Sequence, residues 1–186
     1  MYGLVNRAIE GMVRDGHGEA VWNRIRAKAG VQDAAFVSTE AYPDDITYRL
    51  VAAASEELAM PAEAVLKGFG EYWVLRTAVE AYGPMMRVAG RTLKDFLLYL
   101  PRFHVHVQTV FPELRPPDFV CENVREHSLD LHYYSPRPAG LEPFVEGLVL
   151  GLGKLFDTPV QIRLAQQREG DSDPSVFHVT WEPKAG

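Results

Sequence analysis

A single cysteine, Cys121, occurs in the 186 residues of the chain. Its isolation excludes an internal disulfide and any zinc site built on several thiolates, and it suits a reducing compartment. Long apolar runs are also missing. The longest, over positions 144–156, is interrupted by Glu146 and Lys154 and falls short of the ~20 residues that span a bilayer. No secretory leader is read at the start, because the stretch from Met1 to Val13 contains Asn6, Arg7 and Glu10 and has no cationic opening followed by an apolar core. Basic clusters are absent too. With a formal net charge of -6 and scattered Lys and Arg, neither nucleic acid nor an anionic membrane is expected as the main partner. Together these absences lead to the expectation of a cytoplasmic protein.

Hydrophobic residues make up 47% and charged residues 24% of the chain, ordinary values for a protein that folds alone. The length suits one domain over 1–186, or two lobes sharing a core. Apolar residues recur at helical spacing around 3–14, 18–29 and 45–58, and Pro61 opens another helical run, PAEAVLKGFGEYWVL. Gly83-Pro84 reads as a turn. Thr92 is a candidate N-cap for the run RTLKDFLLYL, with Asp95 at the capping-box position. Pro101 then predicts a break, and a short separate helix ending at Pro112. Beyond it, 118–124, 128–135, 159–167 and 175–182 alternate or are rich in β-branched residues and read as strands, joined in pairs by connections too short for parallel crossovers. One helix, GLEPFVEGLVLGLGKLF, interrupts them. The expected fold class is α+β: a largely helical first part, then a small antiparallel sheet with a helix across it.

Two stretches carry chemistry. In HYYSPRP, Tyr133, Ser135 and Arg137 fall at alternate positions, so on an extended strand they project together as a fork of two hydroxyls and a guanidinium. Such a fork suits a carboxylate or phosphate; an edge strand with a solvated arginine gives the same pattern. In PRFHVHVQTVFPELRPP, Leu100, His104, Val107 and Phe111 share one helical stripe, while His106 points elsewhere. A histidine on an apolar face is either a hydrogen-bonded core residue or a ligand. No second His, Cys or carboxylate shares the face at ligand spacing, which argues against structural zinc. The ligand role left for a lone histidine is an axial bond to haem iron. One cofactor would then answer both stretches, with iron at His104 and its two carboxylates at the fork.

These residues resemble the haem nitric oxide/oxygen-binding (H-NOX) family, which includes the haem domain of soluble guanylate cyclase β subunits. The similarity runs through MYGLVNRAIE, VAAASEEL, GFGEYW, FHVHVQTVFPELRPPDFVC and HYYSPRPAGL. It implies a single haem-binding domain with approximate lobes 1–62 (distal) and 63–186 (proximal) and haem b, iron protoporphyrin IX, buried between them. By resemblance, His104 is the axial iron ligand, Tyr133, Ser135 and Arg137 hold the propionates, and Pro117 distorts the macrocycle. Val5, Ile9, Trp73 and Phe144 would form the distal pocket. Relatives that bind oxygen stably resemble one another in carrying a distal tyrosine where this chain has Phe144, which donates nothing. Binding of nitric oxide and carbon monoxide, with discrimination against oxygen, is therefore expected. Trp73 offers an indole N–H as a donor, or simply packs.

The resemblance implies a switch: nitric oxide weakens the bond to His104, the proximal helix moves, and a partner in trans, such as a histidine kinase or a cyclic-nucleotide enzyme, reads the change. With no cyclase, kinase or methyl-accepting module read after EPKAG, the output is expected in trans or in a further part of a longer protein. A haem peroxidase needs a polar distal acid or base that the inferred pocket lacks, so no enzyme activity is expected. Oxygen sensing and haem carriage are the remaining rivals. Cys121 is read as an inert strand cysteine, and His17, His127, His132 and His178 as solvated or structural.

Overall fold

The computed structural model describes residues 1–31, 35–110, 115–170 and 172–182, the side chain of Val110 excepted. Helical periodicity accounts for the first elements. Helix α1 (Gly3–His17) turns Asn6, Ile9 and Val13 inward, α2 (Glu19–Lys28) turns in Trp22 and Ile25, and α3 (Asp44–Glu57) turns in Leu50, Val51 and Ala54. Asp44 and Asp45 occupy the first turn of α3, where their charge complements the helix dipole. Pro61 directly precedes α4 (Ala62–Tyr72). These four helices close around a first hydrophobic cluster that includes Ile9, Trp22, Leu50 and Phe69.

From α4 the chain passes through a π-helical segment, Trp73–Ala78, into α5 (Val79–Ala89) without leaving helix. The turn expected at Gly83-Pro84 is overturned, for Pro84 lies inside α5. A helical proline deprives the carbonyl four residues back of its donor. Here that carbonyl belongs to Glu80, an exposed residue.

The break expected at Pro101 is also overturned. Helix α6 (Leu93–Val110) begins where the Thr92 hydroxyl accepts the Asp95 N–H at 3.1 Å and runs straight through Pro101. Phe96 and Leu97 before the proline and Phe103 and Val107 after it are all buried in a second cluster. Breaking the helix would have pulled half of that stripe from the core, at roughly 1.5–3 kcal/mol for each large side chain exposed. Pro112, the expected far limit, and Phe111, the last residue of the stripe, lie outside the described residues.

The four strands, β1 (Asp118–Glu122), β2 (Ser128–Tyr134), β3 (Val160–Gln166) and β4 (Ser175–Trp181), form one antiparallel sheet in the order β1-β2-β4-β3. Alternation puts Phe119, Leu129, Leu131, Tyr133, Phe177 and Val179 on the buried face, against α6 and α7 (Glu142–Leu155) in the second cluster. The α+β arrangement is thus as read. Helix α7 also lies against α4 at very short range: a Cβ on Gly70 would stand 2.2 Å from the Phe144 carbonyl oxygen, and one on Gly147 2.0 Å from that of Lys67.

One further expectation changes. Strand β2 ends at Tyr134, and Ser135 to Arg137 leaves the sheet in a bend, so the fork is not three alternate positions of one strand. Pro136 has no N–H to continue a ladder, and the carbonyls on either side of it bond to the Arg168 side chain instead. Among the described residues, no helix is long and apolar enough to cross a membrane.

Candidate functional site

His104 sits on the buried stripe of α6, its ring 5.5 Å from that of Phe119 and 6.2 Å from that of Phe103, centroid to centroid. Burial pushes its pKa down to about 4, against the pull of the Asp118 carboxylate and the Pro117 backbone. The imidazole is therefore neutral near pH 7, the form that ligates metals. Its Nδ1 is enclosed, and the nearest polar group acting on the ring is the Pro117 backbone.

At the fork, the buried Tyr133 and Ser135 hydroxyls hydrogen-bond each other, and Ser135 Oγ also accepts the Arg137 N–H at 3.1 Å. Burial pushes the Tyr133 phenol up. Arg137 already grips a carboxylate, donating from Nε to Asp44 Oδ2 at 2.9 Å and from Nη1 to the Arg115 carbonyl at 2.9 Å. Asp44 also accepts the Met1 amine. Burial works to raise the Asp44 pKa, but the Met1 ammonium and Arg137 outweigh it and hold it low.

The histidine and the fork meet on one cavity of about 220 Å³. Its lining includes His104, Pro117, Phe119, Tyr133 and Arg137, together with Val5, Phe69, Trp73 and Phe144, so both hydrophobic clusters contribute. Two expected residues do not line it. Ile9 is wholly buried in the first cluster, and Ser135 stands behind Tyr133. Phe144 lies 4.9 Å from Phe69 between ring centroids, and Trp73 meets the same ring edge-on at 6.2 Å. Trp73 packs against both clusters.

His106 points outward as read, its Nδ1–H donating to the Arg102 carbonyl at 2.8 Å. Cys121 is half-buried in β1, with its thiol pushed up to about 11 by burial. His178 pairs with Asp130 at 2.7 Å on the sheet. Sequence reasoning missed Asp44, Arg115, Tyr48 and Tyr82 at the site. It missed Arg168 and Glu142 beneath it as well. Only Asp44 carried a signal, as an acidic residue at a helix start.

The "Haem-NO-binding" family model matches residues 2–164. Soluble guanylate cyclase gcy-31 of Caenorhabditis elegans is 30% identical over 181 residues, which are 96% of this chain and 25% of that protein. Guanylate cyclase soluble subunit beta-2 of Rattus norvegicus is 33% identical over 123 residues, 63% of this chain and 18% of that protein. The chain thus spans about a quarter or less of the length of these relatives. Among solved structures, an H-NOX protein from S. oneidensis in the Fe(II)NO ligation state superposes with a TM-score of 0.87 at 22% identity, covering 98% of this chain and 100% of that one. An oxygen-binding H-NOX domain related to soluble guanylate cyclases gives 0.82 at 20% identity, covering 99% and 96%. With its sequence matched over 2–164 and its helices and sheet arranged as in these structures, the chain belongs to the Haem-NO-binding family and is an H-NOX domain.

Proposed function

We propose that this chain is a haem-based sensor of nitric oxide, with haem b in the cavity between the two hydrophobic clusters. The observation that carries the reading is a neutral imidazole lining the same apolar cavity as Tyr133 and Arg137. In this reading His104 would hold the iron, Tyr133, Ser135 and Arg137 would hold the propionates, and Pro117 would bear on the macrocycle. A bound haem would supply a ferrous iron able to take a diatomic gas. At about 220 Å³ the cavity is narrower than the roughly 300–1,000 Å³ of typical ligand pockets. Its walls draw on both clusters, with Trp73 packed against each, so admitting a macrocycle requires them to move apart.

Selectivity follows from what the distal side can donate. Phe144 has no hydrogen-bonding group, and Val5 has none either. Bound oxygen is polarised and gains from a donor, whereas nitric oxide and carbon monoxide need one less. Thr47, which also lines the cavity, donates its hydroxyl to Asn6 Oδ1 at 2.6 Å. Nitric oxide and carbon monoxide therefore bind, and oxygen is disfavoured. An oxygen-binding reading would rest on Trp73 or on the hydroxyls of Tyr2, Tyr48 and Tyr82, which also line the cavity.

Among the described residues, the cavity lining holds no Asp, Glu or Lys. The one histidine on it, His104, is engaged by the iron in this reading, which favours a sensor over a peroxidase. Output is movement of α6 once His104 is released. Because α6 is continuous, the moving part pivots at Pro101 rather than being a detached helix, and the ligand acts only through its differential affinity for two packings. The reader is a partner protein in the cytoplasm, of the histidine kinase or cyclic-nucleotide class.

The test is the absorption spectrum of the ferrous, haem-reconstituted protein under argon, air and then nitric oxide. A deoxy spectrum unchanged in air, with a five-coordinate nitrosyl under nitric oxide, is expected. A stable oxy complex makes oxygen sensing the function instead. The trigger is tested separately: if His104→Gly carrying free imidazole still shifts α6 on adding nitric oxide, His104 release is not the switch.

A further inference from the structure

Arg168 lies just beyond β3, in the connection to β4, and only 9% of its surface is exposed. Burying a guanidinium is costly unless its donors are matched. Here Nη1 donates to the Ser135 carbonyl at 2.9 Å and Nη2 to the Arg137 carbonyl at 2.5 Å. These are the two carbonyls flanking Pro136, where β2 has already ended and no ladder partner is available. The bend is tied from its other end as well. Glu142 accepts the Gly140 N–H at 2.7 Å and the Ser175 hydroxyl at 2.9 Å, and Ser175 Oγ accepts the Arg168 main-chain N–H at 3.4 Å. The segment that carries Ser135 and Arg137 is thus held in place by side chains from the β3–β4 connection and α7, rather than by a sheet.

We propose that Arg168 is a positioning residue of the fork: by clamping the Ser135 and Arg137 carbonyls, it sets where Tyr133, Ser135 and Arg137 present their donors to the cofactor's carboxylates. This rests on the haem reading of the site. A bidentate grip needs its donors held to within about 0.5 Å, and a two-residue bend around a proline has no intrinsic means of achieving that. The planar guanidinium spans both carbonyls at fixed spacing, whereas a lysine ammonium is a single flexible point.

The variants are Arg168→Gln and Arg168→Lys in the full chain, with Arg163→Gln on exposed β3 as control. In the haem-free protein, Arg168→Gln is expected to speed amide exchange at Arg137 and Gly140 about tenfold, the scale of losing charge-assisted hydrogen bonds, with the strand amides unchanged. In the loaded protein, haem release to apomyoglobin accelerates about tenfold, and the reduction potential moves while the axial His104 signature stays. Arg168→Lys lies between Gln and wild type in both readouts. If Arg168→Gln does not fold, the lysine variant decides, and release equal to wild type overturns the proposal. Unchanged exchange, or exchange rising evenly across the sheet, overturns it as well. If wild-type protein fails to retain haem, the haem reading falls and takes the proposal with it. Retention by wild type and Arg168→Gln alike overturns the clamp alone.

Discussion

The Cys121 thiol donates to the Leu97 carbonyl at 3.5 Å, and Leu97 is the residue whose carbonyl Pro101, four positions on, leaves without its helical donor. Leu97 is wholly buried, so no solvent substitutes. The one cysteine of the chain thereby ties β1 to the helix that carries His104, at the point where that helix is weakest.

Replacing Cys121 by Ala is expected to destabilise the protein by about 1–3 kcal/mol, combining the unpaired carbonyl with lost packing. Pro101→Ala restores the helical donor, so the double variant loses less than Cys121→Ala alone. Urea unfolding of the four proteins measures this coupling; additive losses would show that the thiol only packs. With its pKa near 11, Cys121 also resists alkylation at pH 7 in native protein and reacts once unfolded.

Asp44 sets a pH dependence. Its folded pKa lies below the ordinary value of 3.8, so the unfolded chain binds the proton more readily. Its contribution to stability is complete above about pH 3.8 and is lost as pH falls through the lower folded value. Asp44→Asn should remove that acid limb while leaving the stability-pH slope near neutrality unchanged. A wild-type slope retained in the variant would place the titration elsewhere.

Phe144→Tyr puts a phenol on the cavity without changing the ring that stacks on Phe69. Oxygen dissociation from the ferrous haem protein is expected to slow about 10–100-fold, the scale of one hydrogen bond to a charged acceptor. Trp73→Phe should leave oxygen binding as it was. A Trp73→Phe variant that alters the air spectrum would identify the indole as the donor.

Gly147→Ala forces a methyl to within 2.0 Å of the Lys67 carbonyl oxygen. The helices α4 and α7 must separate, at about 1–3 kcal/mol of stability. Phe144 is carried on α7, so gas association should change along with thermal stability. A variant as stable as wild type would mean that the helices slide past each other freely.

Most of the architecture was legible because local patterns and tertiary demands agree. The alternation in β2 and β4 buries the residues its period selects, whereas of the stripe read through His104 Val107 is buried and Leu100 and His104 are only partly so. The two prolines misled for one reason. Pro84 and Pro101 each remove a hydrogen bond, a local cost that sequence displays, while its compensation is not local. Glu80 belongs to an exposed turn of α5, and a thiol 24 positions away serves Leu97.

The sequence by itself determined the α+β order, the face on which His104 sits and the identity of the fork residues, because side-chain period and donor chemistry are properties of short segments. Tertiary structure alone decided that the fork lies on a bend and that Arg137 meets Asp44 from 93 positions away. It alone brought Arg168 to the Ser135 and Arg137 carbonyls. Those are contacts between buried polar groups whose partners must be found somewhere in the fold, and no period along the chain says where.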